Sequence, residues 1–192
     1  STIEYVAILG RTGAPTTPYT ALAGALSVSC GRLSYNFGVS GPCYSIDTAC
    51  SSSLVSTHIA QSTVQSFESE SSFAVGVQHM LIPHPFVVLV ISNMLSPDGR
   101  CKTLDTTADG YVRAEACGAL ILKPRQDKAH AALVQVCGSA VNQDGRSSSL
   151  TAPNGPSQQS VIQSSLKRCS DMQLQHYQQH EMHGTGTPLG DP

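Results

Sequence analysis

Short apolar runs and helical periodicities alternate along the chain. Tyr5-Val6-Ala7-Ile8-Leu9 is a continuous apolar stretch closed by Gly10, which predicts a strand. Arg11 to Thr20, rich in Thr, Pro and Gly, predicts a loop. The small residues from Ala21 to Leu33 predict a helix able to pack closely against its neighbours. Behind a Gly41-Pro42 break, Cys43 to Ile46 predicts a short buried strand. Leu54, Val55, His58 and Ile59 then fall at i, i+1, i+4 and i+5, one face of a helix running to about Phe67. Phe73 to Val77 is β-rich, and Phe86 to Ile91, the longest apolar run, suits either a buried strand or a helix segment. Pro97-Asp98-Gly99 marks a turn. Ala119 to Lys123 predicts a fully buried strand. A further strand rises between Ala131 and Ala140 at Leu133-Val134-Gln135-Val136. Ser157 to Cys169 predicts an amphipathic helix with Val161, Ile162, Ser165 and Leu166 on one side. Strands separated by helices predict an α/β architecture.

Composition narrows the classes. The 192 residues are 40% hydrophobic and 12% charged, with formal net charge −2, as expected of a globular domain. That balance supplies no basic field, so neither nucleic acid nor an anionic membrane is an expected partner. No apolar run reaches the length of a membrane span. The seven cysteines form no C-x-x-C pair, which speaks against a zinc or disulfide framework and for reduced thiols in a cytoplasmic setting. No metal site is expected. A first strand with no element before it, and a motif running into Asp191-Pro192, suggest an internal piece of a longer protein.

Candidate chemistry begins at Cys50. It stands where the predicted strand meets the predicted helix, followed by three serines, which favour helix starts. A thiol there faces unpaired N–H groups and the positive end of the helix dipole, which favour its anionic form. The commonplace alternative is a small buried hydrophobe, as most free cysteines are.

Asp47-Thr48-Ala49-Cys50-Ser51-Ser52-Ser53-Leu54 resembles the active-site signature of β-ketoacyl synthases, the condensing domains of polyketide and fatty-acid synthases. Other runs share the resemblance with departures. Gly31 stands where the family commonly has Asn before Arg32-Leu33-Ser34-Tyr35. Val75 replaces one of a glycine pair. Ala114 and Ala116 replace two glycines of the run Asp109-Gly110-Tyr111-Val112-Arg113-Ala114-Glu115-Ala116-Cys117-Gly118, which matters if that backbone needs positive φ.

The second motif is His183-Gly184-Thr185-Gly186-Thr187-Pro188-Leu189-Gly190-Asp191-Pro192, which resembles the family's H-G-T-G-T-x-x-G-D-P. By itself, a histidine beside alternating glycines is more often structural than catalytic. Within the resemblance, Cys50 is the nucleophile that accepts an acyl group from a carrier thioester. His183 is one of two histidines that stabilise the enolate left by decarboxylation of a malonyl-type thioester. Thr185 and Thr187 match positions that hydrogen-bond the phosphopantetheine arm of the acyl carrier protein. No cofactor is expected to be bound, the arm being the carrier of the substrate. The family's second histidine, its lysine and its oxyanion loop normally lie further along the chain.

The resemblance implies a thiolase-like α/β fold, incomplete here. Residues 1–125 would be part of an N-terminal half with the nucleophile, and residues 126–192 the start of a C-terminal half with the first histidine. It further implies a homodimeric parent. Asn142-Gln143-Asp144-Gly145-Arg146 and Thr151-Ala152-Pro153-Asn154-Gly155-Pro156 look more like modular type I polyketide synthases than free-standing fatty-acid enzymes. A fatty-acid condensing domain and a non-catalytic, carrier-binding relative are the alternatives, the presence of Cys50 arguing against the latter. A cysteine-protease reading of Cys50 and His183 has no supporting C-G-[SA]-C-[WY] signature. His58 reads as a satisfied core residue, and His176 and His180 as surface or strand-edge residues. His79, His84 and His130 carry no motif.

Overall fold

Helices α1 (Thr2–Arg11), α2 (Pro18–Ala23), α3 (Leu26–Phe37), α4 (Ser52–Gln65), α5 (His84–Ile91) and α6 (Gly155–Lys167) and strands β1 (Ser72–Gln78) and β2 (Ala116–Leu122) form the regular structure. The computed structural model describes residues 2–124, 133–149, 152–169, 179–187 and 190–191. Contacts divide the chain into two units, Ser1–Pro85 with Ala114–Asp127, and Phe86–Arg113 with Lys128–Pro192.

In the first unit, the strand expected at Tyr5–Leu9 is helical. An apolar run of that length fits either period, and a helix closes its backbone bonds without a partner strand. Glu4 in the first turn and Arg11 in the last suit the helix dipole. The Glu4 carboxylate, 3% exposed, accepts the amides of Leu81 at 2.6 Å and Ile82 at 3.3 Å, which ties α1 to that backbone. The single helix expected over 21–33 is two, because Gly24 and Ala25 interrupt it. Cys43–Ile46 joins no ladder. Side chains hold that segment to α3 instead: the Ser34 hydroxyl donates to Cys43 Sγ at 3.5 Å, and the Ser45 hydroxyl donates to the Leu26 carbonyl.

The core of this unit lies between α4 and β1, where Ala60, Val64 and Ala74 are buried together with Gln61. Strand β1 pairs antiparallel with β2, in register from Ser72 opposite Leu122 to Gln78 opposite Ala116. The inward face of α4 is rotated from the one expected. Leu54 is 76% exposed, while Val55, His58 and Ile59 are half-buried. The expected burial of β2 also fails, with Leu120 and Ile121 exposed. A two-stranded sheet covered by one helix over β1 leaves β2 without a second layer among the described residues. Beyond the strand ends, Glu115 Oε1 meets His79 Nδ1 at 2.9 Å and accepts the Met80 amide at 2.7 Å.

In the second unit, the run Phe86–Ile91 lies in α5 and is not buried, Ile91 being 76% exposed. The Arg113 guanidinium stacks over the Phe86 ring, 4.6 Å from its centroid. Leu133–Val136 forms no strand, and Leu133 and Val134 stand exposed. The amphipathic helix is present as α6, with Val161, Ser165 and Leu166 half-buried and Ile162 exposed. No described helix is long and apolar enough to cross a membrane.

Candidate active site

Cys50 sits in a single 3-10 turn, Ala49–Ser51, that leads directly into α4. Ala49 before it is left-handed, with φ 55°. For a residue with a Cβ that conformation costs about 1–2 kcal/mol, so the surroundings must impose it. They do so with side chains. Asp47 Oδ1 accepts the Ala49 amide at 3.1 Å, an Asx turn. Ser52 Oγ accepts the Thr48 amide at 2.9 Å and donates to the Ala49 carbonyl at 2.7 Å. The Ser51 hydroxyl reaches the Thr48 carbonyl at 2.9 Å and Thr48 Oγ1 at 2.8 Å. The serines therefore lock the turn, and Ser51, which precedes the helix, makes no side-chain cap to it. The result is an exposed thiol at the head of a 14-residue helix. That is the display a nucleophile requires.

His183 lies in the second unit, exposed, at the start of a loop built on glycines. Gly184 and Gly186 are both left-handed, with φ 54° and 66°. A Cβ on Gly184 would come within 2.8 Å of Thr103 Cγ2, and one on Gly186 would collide with the Cys101 carbonyl. The loop is seated on residues 101–110. The Thr103 hydroxyl donates to the Gly184 carbonyl at 2.7 Å, and the Gly110 amide donates to the Gly186 carbonyl at 3.0 Å. That cradle is itself pinned. Lys102 Nζ bridges Asp109 at 2.8 Å and Asp98 at 3.1 Å, and the expected turn at Pro97–Gly99 closes through the Gly99 amide to the Ser96 carbonyl at 3.3 Å. The Lys102 hydrogen bond, followed by that of Ser96, holds the Asp109 carboxyl below the usual range.

The structure brings Thr185 and Thr187 together, their hydroxyls 2.9 Å apart and half-buried. Thr185 Oγ1 also lies 3.5 Å from Asp191 Oδ1, and Thr187 Oγ1 accepts the Gly190 amide at 3.2 Å. If Thr187 donates to Thr185 and Thr185 to Asp191, each oxygen keeps one lone pair, an acceptor for an amide N–H. Asp191 organises this end of the loop. Its Oδ2 accepts the Leu104 amide at 2.9 Å and its Oδ1 the Gly186 amide at 2.9 Å. Those bonds, Leu104 first, then Gly186 and the Thr185 hydroxyl, keep its carboxyl below the ordinary carboxylate value.

Sequence reasoning assigned no role to Asp47, Ser52, Thr103 or Asp191. Asp47 could have been found as an Asx residue two positions before Ala49. Thr103 and Asp191 act across 81 and 87 residues, and no local pattern announces that. Ala114 and Ala116 are not left-handed, so the replaced glycines create no strain there. The two runs Asn142–Arg146 and Thr151–Pro156 are joined at the head of α6. Asp144 Oδ2 accepts the Asn154 amide at 3.2 Å, the Asp144 carbonyl accepts Asn154 Nδ2 at 2.8 Å, and Asn142 Nδ2 donates to the Ser157 carbonyl at 2.7 Å. Gln143–Ser147, Ser149 and Ala152 line an open concavity of about 580 Å³ beside it. Thr151, His130, His176, Pro188, Leu189 and Pro192 lie outside the described residues. Among the described residues no three His, Cys, Asp or Glu side chains cluster to hold a metal.

Residues 4–128 match the family model described as the N-terminal domain of beta-ketoacyl synthase, and residues 133–192 match that of its C-terminal domain. A phenolphthiocerol/phthiocerol polyketide synthase of Mycobacterium tuberculosis is 44% identical over 177 residues, covering 91% of this chain and 8% of that protein. Polyketide synthase GfsA of Streptomyces halstedii is 42% identical over 192 residues, covering 98% of this chain and 3% of that protein. Among solved structures, the ketosynthase from module 6 of the bacillaene synthase of Bacillus subtilis 168 superposes with a TM-score of 0.81 at 34% identity. The match covers 92% of this chain and 33% of that one. The chain thus spans about a third of that solved ketosynthase and less than a tenth of these synthases.

Proposed function

The chain belongs to the β-ketoacyl synthase family, with the thiolase-like α/β fold of its ketosynthase domains, and from that premise we propose that it carries the condensing chemistry of a modular type I polyketide synthase. The observation that carries the reading is the exposed Cys50 thiol, presented at the head of α4 by a turn held in a left-handed conformation. In the first step the Cys50 thiolate attacks the carbonyl carbon of an acyl thioester. The carrier's phosphopantetheine thiolate leaves and takes up a proton, and the acyl group stays on Cys50. In the second, a malonyl-type thioester loses carbon dioxide. The enolate carbon attacks the acyl carbonyl on Cys50, and the cysteine thiolate departs from the new β-ketoacyl thioester.

His183 acts in the second step, donating an imidazole N–H to the thioester oxygen as it becomes an enolate. One such donor contributes about 2.7–4 kcal/mol to the transition state. The family's chemistry assigns both residues to one reaction. Thr185 and Thr187 offer their remaining lone pairs to the amides of the phosphopantetheine arm, the half-buried hydroxyl pair supporting that role. The acyl carrier protein is the partner that delivers both thioesters, and the parent acts as a homodimer in the cytoplasm. Residues 1–125 belong to the N-terminal half and 126–192 open the C-terminal half, a division supported by the ends of the two family matches.

Intact-protein mass spectrometry of the parent synthase with an acyl thioester tests the reading. The acyl mass should appear on the wild type and vanish in Cys50→Ala. A mass shift persisting in that variant overturns the assignment. His183→Ala should still be acylated, while releasing carbon dioxide from the malonyl thioester about 10²–10³-fold more slowly. Equal loss of both steps would make His183 structural instead.

A further inference from the structure

We propose that Gly76 is a positioning residue for Cys50: the missing side chain at that point of β1 sets how deeply the head of α4 sits, and through it where the thiol is held. The inference rests on the reading of Cys50 as the nucleophile. A glycine inside a strand weakens it, and its usual reasons are a bulge, a left-handed backbone angle or the close approach of another segment. The first two do not apply. The ladder runs in register through Gly76, which pairs with Gly118, and Gly76 is not one of the left-handed glycines. The third does. A Cβ on Gly76 would stand 2.5 Å from Ser53 Oγ and 3.4 Å from Ser53 Cβ.

Gly76 lies two residues beyond the buried Ala74 and so shares its face of the strand, the one packed against α4. Ser53 is three residues beyond Cys50, in the first turn of that helix. Its neighbour Ser52 holds the Cys50 turn, accepting the Thr48 amide at 2.9 Å and donating to the Ala49 carbonyl at 2.7 Å. Adjacent residues of one helical turn move together, so lifting Ser53 off β1 pulls Ser52 with it and loosens both bonds. Gly118 supplies the contrast. It stands directly opposite Gly76 in the ladder, and a Cβ there would meet nothing within 4 Å. The same substitution one strand over therefore leaves α4 where it is.

The test measures acylation of Cys50 by a saturating acyl thioester in the parent synthase, beside hydrogen exchange at the Thr48 and Ala49 amides. Gly76→Val extends branched carbons toward Ser53 Cβ. It should slow acylation about 10²-fold, the effect of misplacing a reacting group by about 1 Å. The half-saturating concentration should be unchanged, and both amides should exchange faster. Gly76→Ala should have a smaller effect, since Ser53 is exposed and its hydroxyl can turn away. Adding Ser53→Ala leaves only the 3.4 Å contact and should restore the wild-type rate and exchange. Gly118→Ala should match the wild type throughout. Wild-type behaviour in Gly76→Val overturns the proposal. So does an equal loss in Gly118→Ala, or a loss in Gly76→Ala that Ser53→Ala does not relieve. If Gly76→Val does not fold, the alanine variants decide, and a Gly76→Ala that behaves as the wild type overturns the proposal. A wild type that takes up no acyl group would overturn the ketosynthase reading instead, and the exchange rates would still decide this one.

Discussion

The turn that carries Cys50 and the loop that carries His183 both hold left-handed backbone beside that side chain, yet they reach it by different means. At the first, an alanine with φ 55° is forced into place by the side chains of Asp47, Ser51 and Ser52. At the second, Gly184 and Gly186 adopt the conformation freely, and the neighbouring backbone at Cys101 and the Thr103 side chain fill the space a Cβ would need. Strain at the cysteine is therefore conformational, and the constraint at the histidine is steric. The two sites should respond in opposite ways to gain and loss of a single methyl group.

The largest expected effect is Gly186→Ala. Its Cβ meets the Cys101 carbonyl in a left-handed backbone, and overpacking plus conformational cost should destabilise the second unit by about 3 kcal/mol. Denaturant unfolding of the full chain reads this, and an unchanged midpoint would remove the steric account. The mirror experiment, Ala49→Gly, relieves about 1–2 kcal/mol of left-handed strain and adds about 0.5–1 kcal/mol of chain entropy. Stability should rise by no more than about 1.5 kcal/mol, with acylation of Cys50 retained. A clear loss would show that Ala49 does something beyond its backbone angle.

The smallest effect belongs to Asp191, whose interactions are screened by solvent. Its carboxyl titrates below the ordinary carboxylate value in the folded state. The stability it contributes is then fully present above the unfolded value of about 3.9, and is lost as pH falls through the lower folded value. Subtracting the stability–pH profile of Asp191→Asn from the wild type isolates this from Asp98, Asp105 and Asp109, which shift in the same direction. The difference should be flat above that unfolded value and shrink in acid. A difference that grows in acid would reverse the assignment.

The helix start at Cys50 and the glycine loop after His183 were legible because each is written in contiguous residues, a turn sequence in one case and alternating glycines in the other. The β-rich run at Phe73–Val77 and helix α6 were legible for the same reason, each having one dominant period. Tyr5–Leu9, Cys43–Ile46 and Leu133–Val136 were not. A run of four or five mostly apolar residues fits both periods, and a strand exists only where another strand supplies its ladder. The inward face of α4 was misjudged because hydrophobicity pointed to Leu54, whereas packing against β1 favours the smaller Ala60 and Val64. Asp191 escaped notice because its partner Leu104 lies 87 residues away.

That separation has a consequence for the order in which the chain acquires its parts. The Cys50 turn is wired by hydrogen bonds spanning two to four residues, so it needs nothing beyond its own neighbourhood. The His183 loop waits for Thr103 and Leu104, 81 and 87 residues earlier, and closing so long a span is slow. During synthesis the thiol-bearing turn would take shape first, well before the histidine loop is translated. Pulsed hydrogen exchange during refolding would show it as early protection at the Ala49 amide and late protection at the Gly186 amide, and the reverse order would refute it. A growing chain thus presents the exposed Cys50 thiol to the cell ahead of the loop that carries His183.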